Sequence, residues 1–204
     1  LVSTKGRIEM ARQAKARGVR VTCDVTPHHL ALTDEAVKGY KTDAKMNPPL
    51  RGAEDCEGLW QGLQDGTVDA IATDHAPHSV LEKEVEFTQA AFGVVGLETA
   101  FGVCHNELCI EKGWPLASLI EKLTVGPARC LGLKGGSLSV GQEADVVLLN
   151  PEEEWKVERE KFFSRGKNTP FQGRKLKGRV VATYVGGIEV FREGRITAPE
   201  RVFG

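Results

Sequence analysis

The segment Ala72-Thr73-Asp74-His75-Ala76-Pro77-His78 places one carboxylate and two imidazoles in quick succession. It directly follows Val68-Asp69-Ala70-Ile71-Ala72-Thr73, which reads as a short buried strand. A carboxylate at a strand end with histidines close behind can ligate a divalent metal and move a proton. The same residue types have an ordinary use, with Asp74 capping the next segment and His75 and His78 bonded within the loop. Of the two, the spacing favours chemistry. A second segment, Thr26-Pro27-His28-His29, also sits at an expected strand end. Adjacent histidines on extended chain point to opposite sides, so at most one of them faces a given site, and a packed structural role fits either. In the third, Lys45-Met46-Asn47-Pro48-Pro49-Leu50-Arg51, two prolines fix the backbone and could hold the Asn47 amide for a polar substrate, or simply form a stiff turn that Asn47 supports. Ala91-Phe92-Gly93-Val94-Val95-Gly96 is a glycine-rich entry into a helix whose N–H groups could bind a carboxylate or amide. No Gly-Lys-Ser/Thr follows it, and it is no G-x-G-x-x-G nucleotide fingerprint.

The elements that must position these residues alternate. Residues 8–17 are strong helix formers stopped by Gly18, and residues 19–26 alternate apolar and polar as a strand does, ending at Pro27. Residues 53–64 predict a helix with Leu59, Trp60 and Leu63 on one face, closed by Asp65-Gly66, and residues 96–109 and 115–123 predict two more. Strand, loop, helix, strand in this rhythm predicts a parallel α/β fold, closed as a barrel or left open. In barrels the reactive residues sit at the carboxyl ends of the strands. After Leu131 the texture changes. Residues 135–138, 144–149, 179–185 and 188–191 look like antiparallel strands, with Gly186-Gly187 as a hairpin turn. A long, mostly polar connection over residues 151–178 includes Ser164-Arg165-Gly166-Lys167-Asn168-Thr169-Pro170-Phe171, whose composition is too ordered for a mere linker. These features divide the chain into an α/β body, 1–131, and a small β domain, 132–204.

The chain has 204 residues, 41% hydrophobic and 27% charged, with a formal net charge of −1. Hydrophobic content is ample for a core, so disorder is excluded. The charge balance gives no reason to bind nucleic acid, and no apolar run suits a membrane span. Five cysteines without a C-x-x-C pair indicate buried or incidental thiols in a reducing, cytoplasmic setting. The chain opens Leu1-Val2-Ser3-Thr4, a β-type segment running straight into a helix, as the middle of a domain does. A piece of a longer polypeptide is expected, whose open strand edges need the other part to stay soluble.

Taken in order, Val2-Ser3-Thr4, Val25-Thr26-Pro27-His28-His29-Leu30, Lys45-Met46-Asn47-Pro48-Pro49-Leu50-Arg51, Ala72-Thr73-Asp74-His75-Ala76-Pro77-His78, Phe92-Gly93-Val94-Val95-Gly96-Leu97-Glu98-Thr99 and Gly166-Lys167-Asn168-Thr169-Pro170-Phe171 resemble the amidohydrolase superfamily, and within it the class I, bacterial-type dihydroorotases. The resemblance implies the C-terminal part of a (β/α)8 TIM-type barrel of a metallo-dependent hydrolase, followed by a small β domain. Residues 19–26 would be its seventh strand and residues 68–73 its eighth. It further implies a zinc enzyme, binuclear in the family, that reversibly hydrolyses dihydroorotate to N-carbamoyl-L-aspartate in de novo pyrimidine biosynthesis. Asp74 would then be a metal ligand and the proton carrier. Asn47 and His78 would bind substrate, His78 meeting its carboxylate, and the backbone of Phe92 and Gly93 would bond the ring amide. His28 and His29 match a motif without an assigned role. The family's His-x-His pair, bridging ligand and a further metal histidine precede these segments, and Leu1 stands where the family has another metal histidine. One carboxylate cannot hold a catalytic zinc, so this chain alone is expected to be inactive. Two other readings stand beside the enzyme: a non-catalytic dihydroorotase-like subunit partnering aspartate carbamoyltransferase, and a hydantoinase or allantoinase. In hydantoinases the Asn47 position is usually serine. A homo-oligomer is the expected assembly.

Overall fold

The computed structural model describes residues 1–198. In chain order they form α1 (Lys5–Ala16), β1 (Asp24–Val25), α2 (Pro27–Ala31), α3 (Ala53–Gln64), β2 (Ala70–Ile71), α4 (Val80–Lys83), α5 (Ala100–Cys104), α6 (Leu116–Leu123), α7 (Val125–Leu131), β3 (Val146–Lys156), β4 (Lys175–Val185), β5 (Ile188–Arg192) and β6 (Arg195–Ile196). Helix α5 runs on as a π-helix over His105–Ile110.

Strands β1 and β2 pair in parallel, Asp24 opposite Ala70 and Val25 opposite Ile71, with α3 in the connection between them. The Asp69 and Ala72 N–H groups extend the pairing by donating to the Cys23 and Val25 carbonyls. Val2 N–H donates to Asp24 O, which lays the first residues beside β1. Helix α1 starts where the Thr4 hydroxyl accepts Arg7 N–H. It packs closely on α3 because a side chain at Gly58 would meet Lys5 at 2.7 Å and one at Gly62 would meet Ile8 at 2.9 Å. Ile8, Val25, Leu59, Leu63, Ile71 and Leu119 share the core beneath, and Trp60 meets Trp114 edge to face at 5.4 Å. Stripping such side chains from water contributes roughly 1.5–3 kcal/mol each.

Strands β3 to β6 form one antiparallel sheet in sequence order, Trp155 opposite Leu176 and Leu148 opposite Ala182. The sheet side and the α/β side share a core, in which Val157, Phe162, Phe171 and Leu176 pack with Val95 and Val103. A side chain at Gly102 of α5 would lie 3.1 Å from the Trp155 ring, so this glycine lets the sheet approach the helix.

Several elements differ from their sequence patterns. The strand expected over residues 19–26 shortens to Asp24–Val25, because β2 offers a ladder partner only there. His28 and His29 are not on extended chain. Thr26 caps and Pro27 opens a short helix that carries both of them inward. The helix expected from residue 96 begins at Ala100. Residues 135–138 form no strand. The polar stretch 151–178 is strand at both ends, because β3 runs to Lys156 and β4 starts at Lys175. Burial raises the thiol pKa of Cys23, Cys56, Cys104 and Cys109, which favours the protonated thiol. Among the described residues no helix is long and apolar enough to cross a membrane.

Candidate active site at the end of strand β2

Three residues past β2, Asp74 adopts φ +50 and presents an exposed side chain. A non-glycine residue pays roughly 1–2 kcal/mol for this left-handed conformation, so its neighbours must hold it there. His75 does so from the next position. Its backbone bridges Val94 in parallel fashion, and its Nδ1 accepts the N–H groups of Gly96 (3.1 Å) and Leu97 (3.4 Å). With Nδ1 accepting, the proton sits on Nε2, which faces Ser164 Oγ at 3.4 Å. Ser164 in turn donates to Glu98 Oε1 at 2.5 Å. Gly96 has no room for a side chain, since a Cβ would lie 2.7 Å from the Thr73 carbonyl oxygen.

Two buried lysines tie the surrounding loops together. Lys45 Nζ donates to the carbonyls of Phe87, Thr88 and Ala90 and lies 4.4 Å from the Phe92 ring centroid. Lys83 Nζ donates to the carbonyls of Lys45, Ala91 and Gly93. Each ammonium therefore spends its three donors on backbone. Burial pushes Lys83 below the usual lysine range, against the pull of Asp43. Gly93, at φ +133, donates its N–H to Lys45 O at 3.0 Å, and a side chain on it would strike Ala76 Cβ at 2.5 Å. His78 donates its backbone N–H to Asn168 Oδ1 at 2.8 Å and its ring Nε2–H to Phe92 O at 2.9 Å, while Nδ1 lies 3.5 Å from Glu82 Oε1. Glu82 also accepts from Ser79 N–H and Oγ–H, the reciprocal cap that opens α4.

The histidines after β1 are situated differently. His29 Nδ1 accepts from Thr26 Oγ1 (2.6 Å) and Nε2 donates to Pro48 O (2.9 Å), so the ring is neutral, and burial lowers its pKa. His28 is 2% exposed, and burial with His29 beside it lowers its pKa to about 3. Its Nε2 has no partner among the described residues.

The structure thus gathers the sequence-predicted residues on contiguous loops. Asn47 is exposed beside Pro48, which His29 holds. Lys45, two positions earlier, is bonded to Gly93, and Phe92 is bonded to His78. Phe92 is 58% exposed, and among the described residues its carbonyl accepts from His78 alone, whereas Gly93 O accepts from both Lys83 and Asn168. Three contributors escaped the sequence reading: Lys45, Lys83 and Asn168. Lys45 and Asn168 lie within motifs that the sequence singles out for other reasons, and Lys83 lies in none. Nothing in the residue pattern marks a lysine that will be buried. A zinc ion does not fit the described residues by themselves. Asp74 offers one carboxylate, His29 and His75 have ring nitrogens committed to backbone and hydroxyl partners, and no group of three or more His, Cys, Asp or Glu among the described residues could hold a metal. A catalytic zinc takes about three protein ligands.

A carboxylate just beyond the end of a parallel strand lies where barrel enzymes carry their reactive residues. Residues 5–190 match the amidohydrolase family, and the chain belongs to it. Its fold is the C-terminal part of that family's barrel with the antiparallel sheet appended. It is 56% identical over 196 residues to the dihydroorotase of Anaeromyxobacter sp. (strain K), covering 95% of this chain and 45% of that protein. Against the dihydroorotase of Geotalea daltonii the identity is 53% over 186 residues, 91% of this chain and 44% of that protein. Among solved structures, an L-hydantoinase (dihydropyrimidinase) from Arthrobacter aurescens superposes with a TM-score of 0.91 at 31% identity, over 97% of this chain and 45% of that one. A D-hydantoinase from Thermus sp. superposes at 0.89 with 23% identity, a likeness of fold alone, over 98% of this chain and 45% of that one. The chain therefore spans a little under half the length of the relatives it matches.

Proposed function

We propose that this chain is the C-terminal part of a dihydroorotase, which reversibly hydrolyses dihydroorotate to N-carbamoyl-L-aspartate in de novo pyrimidine synthesis. In this reading residues 1–131 belong to the barrel and residues 132–204 to the small β domain. The observation that carries it is Asp74, held in a left-handed turn beyond a parallel strand, on the loop whose His78 bonds Phe92, while Gly93 bonds Lys45 on the loop of Asn47. The higher identity to dihydroorotases than to the hydantoinase, along 95% of the chain, supports this substrate.

Asp74 acts as the proton carrier. Its carboxylate takes a proton from the attacking water as the new C–O bond forms, and gives it to the ring nitrogen as the C–N bond breaks. Zinc is the metal of this reading. Asp74 is the ligand the described residues contribute to it, and the others lie outside this chain. Substrate binding exchanges partners within the loop. His78 Nε2–H leaves Phe92 O for the substrate carboxylate, and the freed Phe92 carbonyl accepts the ring N–H beside the Gly93 backbone. Asn47 adds a donor from the neighbouring loop, which Lys45 joins to Gly93. A homo-oligomer, with or without aspartate carbamoyltransferase, is the assembly that goes with this activity, in the cytoplasm.

The test is turnover of dihydroorotate and of hydantoin by the full-length zinc-loaded polypeptide that carries this chain, beside the 204-residue chain alone. The reading expects dihydroorotate turnover by the former and none by the latter. Turnover of hydantoin without dihydroorotate would assign the site to the hydantoinase class. Turnover by the chain alone would refute the missing-ligand argument.

A further inference from the structure

We propose that Asn168, on the connection between β3 and β4, is a positioning residue that fixes the substrate-binding loops of His78 and Gly93 relative to each other. The inference rests on the dihydroorotase reading. Asn168 is 4% exposed and spends its whole side chain on this task. Its Oδ1 accepts His78 N–H at 2.8 Å, and its Nδ2 donates to Ala76 O at 3.1 Å and to Gly93 O at 3.0 Å. Its own carbonyl accepts Val95 N–H at 2.8 Å. One planar amide thus spans two loops distant from it in sequence, and its rigid geometry sets the distance between them.

The loop that carries Asn168 is itself firmly seated. Phe162 and Phe171, on either side of it, are buried in the core shared with Val95 and Val103. Lys167 Nζ donates to Phe162 O and Thr169 Oγ1 accepts Phe171 N–H. At Gly166 the backbones meet, since a Cβ there would lie 2.7 Å from His78 N and from Pro77 Cβ. The antiparallel sheet therefore reaches the site through Asn168. Asp74 is held through His75, whose Nδ1 accepts Gly96 N–H and whose Nε2 faces Ser164 on the same connection, contacts that do not use the Asn168 side-chain amide. Loss of the Asn168 amide should loosen the His78–Phe92 pair that meets the substrate while leaving the proton carrier in place.

This separation sets the test, made with Asn168→Ala and Asn168→Asp in the full-length zinc-loaded polypeptide. Asn168→Ala is expected to raise KM for dihydroorotate about tenfold or more with kcat within about threefold, and to speed hydrogen exchange of the His78 amide about tenfold or more. Asn168→Asp keeps an acceptor for His78 N–H but loses both donors. It should retain the His78 protection and still raise KM. Unchanged KM with wild-type exchange, or a fall in kcat at constant KM, would overturn the proposal. Should the wild type fail to turn over dihydroorotate, the functional reading falls, and the exchange measurement still decides whether Asn168 holds the loops.

Discussion

After β1 the chain reads Thr26-Pro27-His28-His29, and after β2 it reads Thr73-Asp74-His75-Ala76-Pro77-His78. Each run brings two histidines, a proline and a threonine to the end of one of two paired parallel strands. In the first, Pro27 turns the chain into a helix and both imidazoles go into the interior, their rings 4.7 Å apart. In the second, Asp74 in place of a helix start sends the chain outward, and His75 and His78 use their ring nitrogens to tie loops together at the surface. The difference shows that residue type at a strand end does not settle where the side chains go. What decides is whether the next turn leads the side chains into the core or along the rim, where a substrate can reach them.

The largest effect separating the two loops is acid stability. An unfolded histidine titrates near 6.5, and His28 in the fold is held at about 3. The neutral form is thus the one the fold accommodates. Its stability is fully present above pH 6.5 and is lost progressively as pH falls from 6.5 towards 3, where the unfolded chain takes up a proton that the native chain refuses. At the limit this is about 4–5 kcal/mol. Urea melts of the wild type and His28→Phe between pH 7 and 4 should show the variant losing less stability, and parallel slopes would place no titration at His28. A smaller effect belongs to the β2 loop. In Gly96→Ala the new methyl would press on the Thr73 carbonyl and pull the Gly96 N–H from His75, costing about 1–3 kcal/mol in the same melts. A change below a few tenths would mean that the Asp74 turn does not depend on this close contact.

Sequence carried the elements with strong local signals. The α3 helix has its apolar face and its Asp65-Gly66 stop, and the Asp74 segment follows an apolar strand, so both were legible. The boundaries that failed depend on partners. Residues 19–22 alternate like a strand but lack a ladder neighbour, and the charged residues of 151–156 look like a loop until β4 lies beside them. The candidate site was legible in its polar side chains at punctuated turns and not in the groups that hold them. Asp74, Asn47 and His78 carry polar side chains at punctuated turns. Lys83 and Asn168 matter only because distant carbonyls converge on them, and such convergence has no local pattern to read.

The central claim is that the chemistry belongs to the loop after β2 and not to the histidine pair after β1. Its most direct test is kcat for dihydroorotate in the full-length zinc-loaded polypeptide with Asp74→Asn beside His28→Phe, both assayed at neutral pH. The account predicts a loss of about 10³-fold or more for Asp74→Asn and a change within about threefold for His28→Phe. Retention of kcat within tenfold of wild type by a folded Asp74→Asn variant would contradict it.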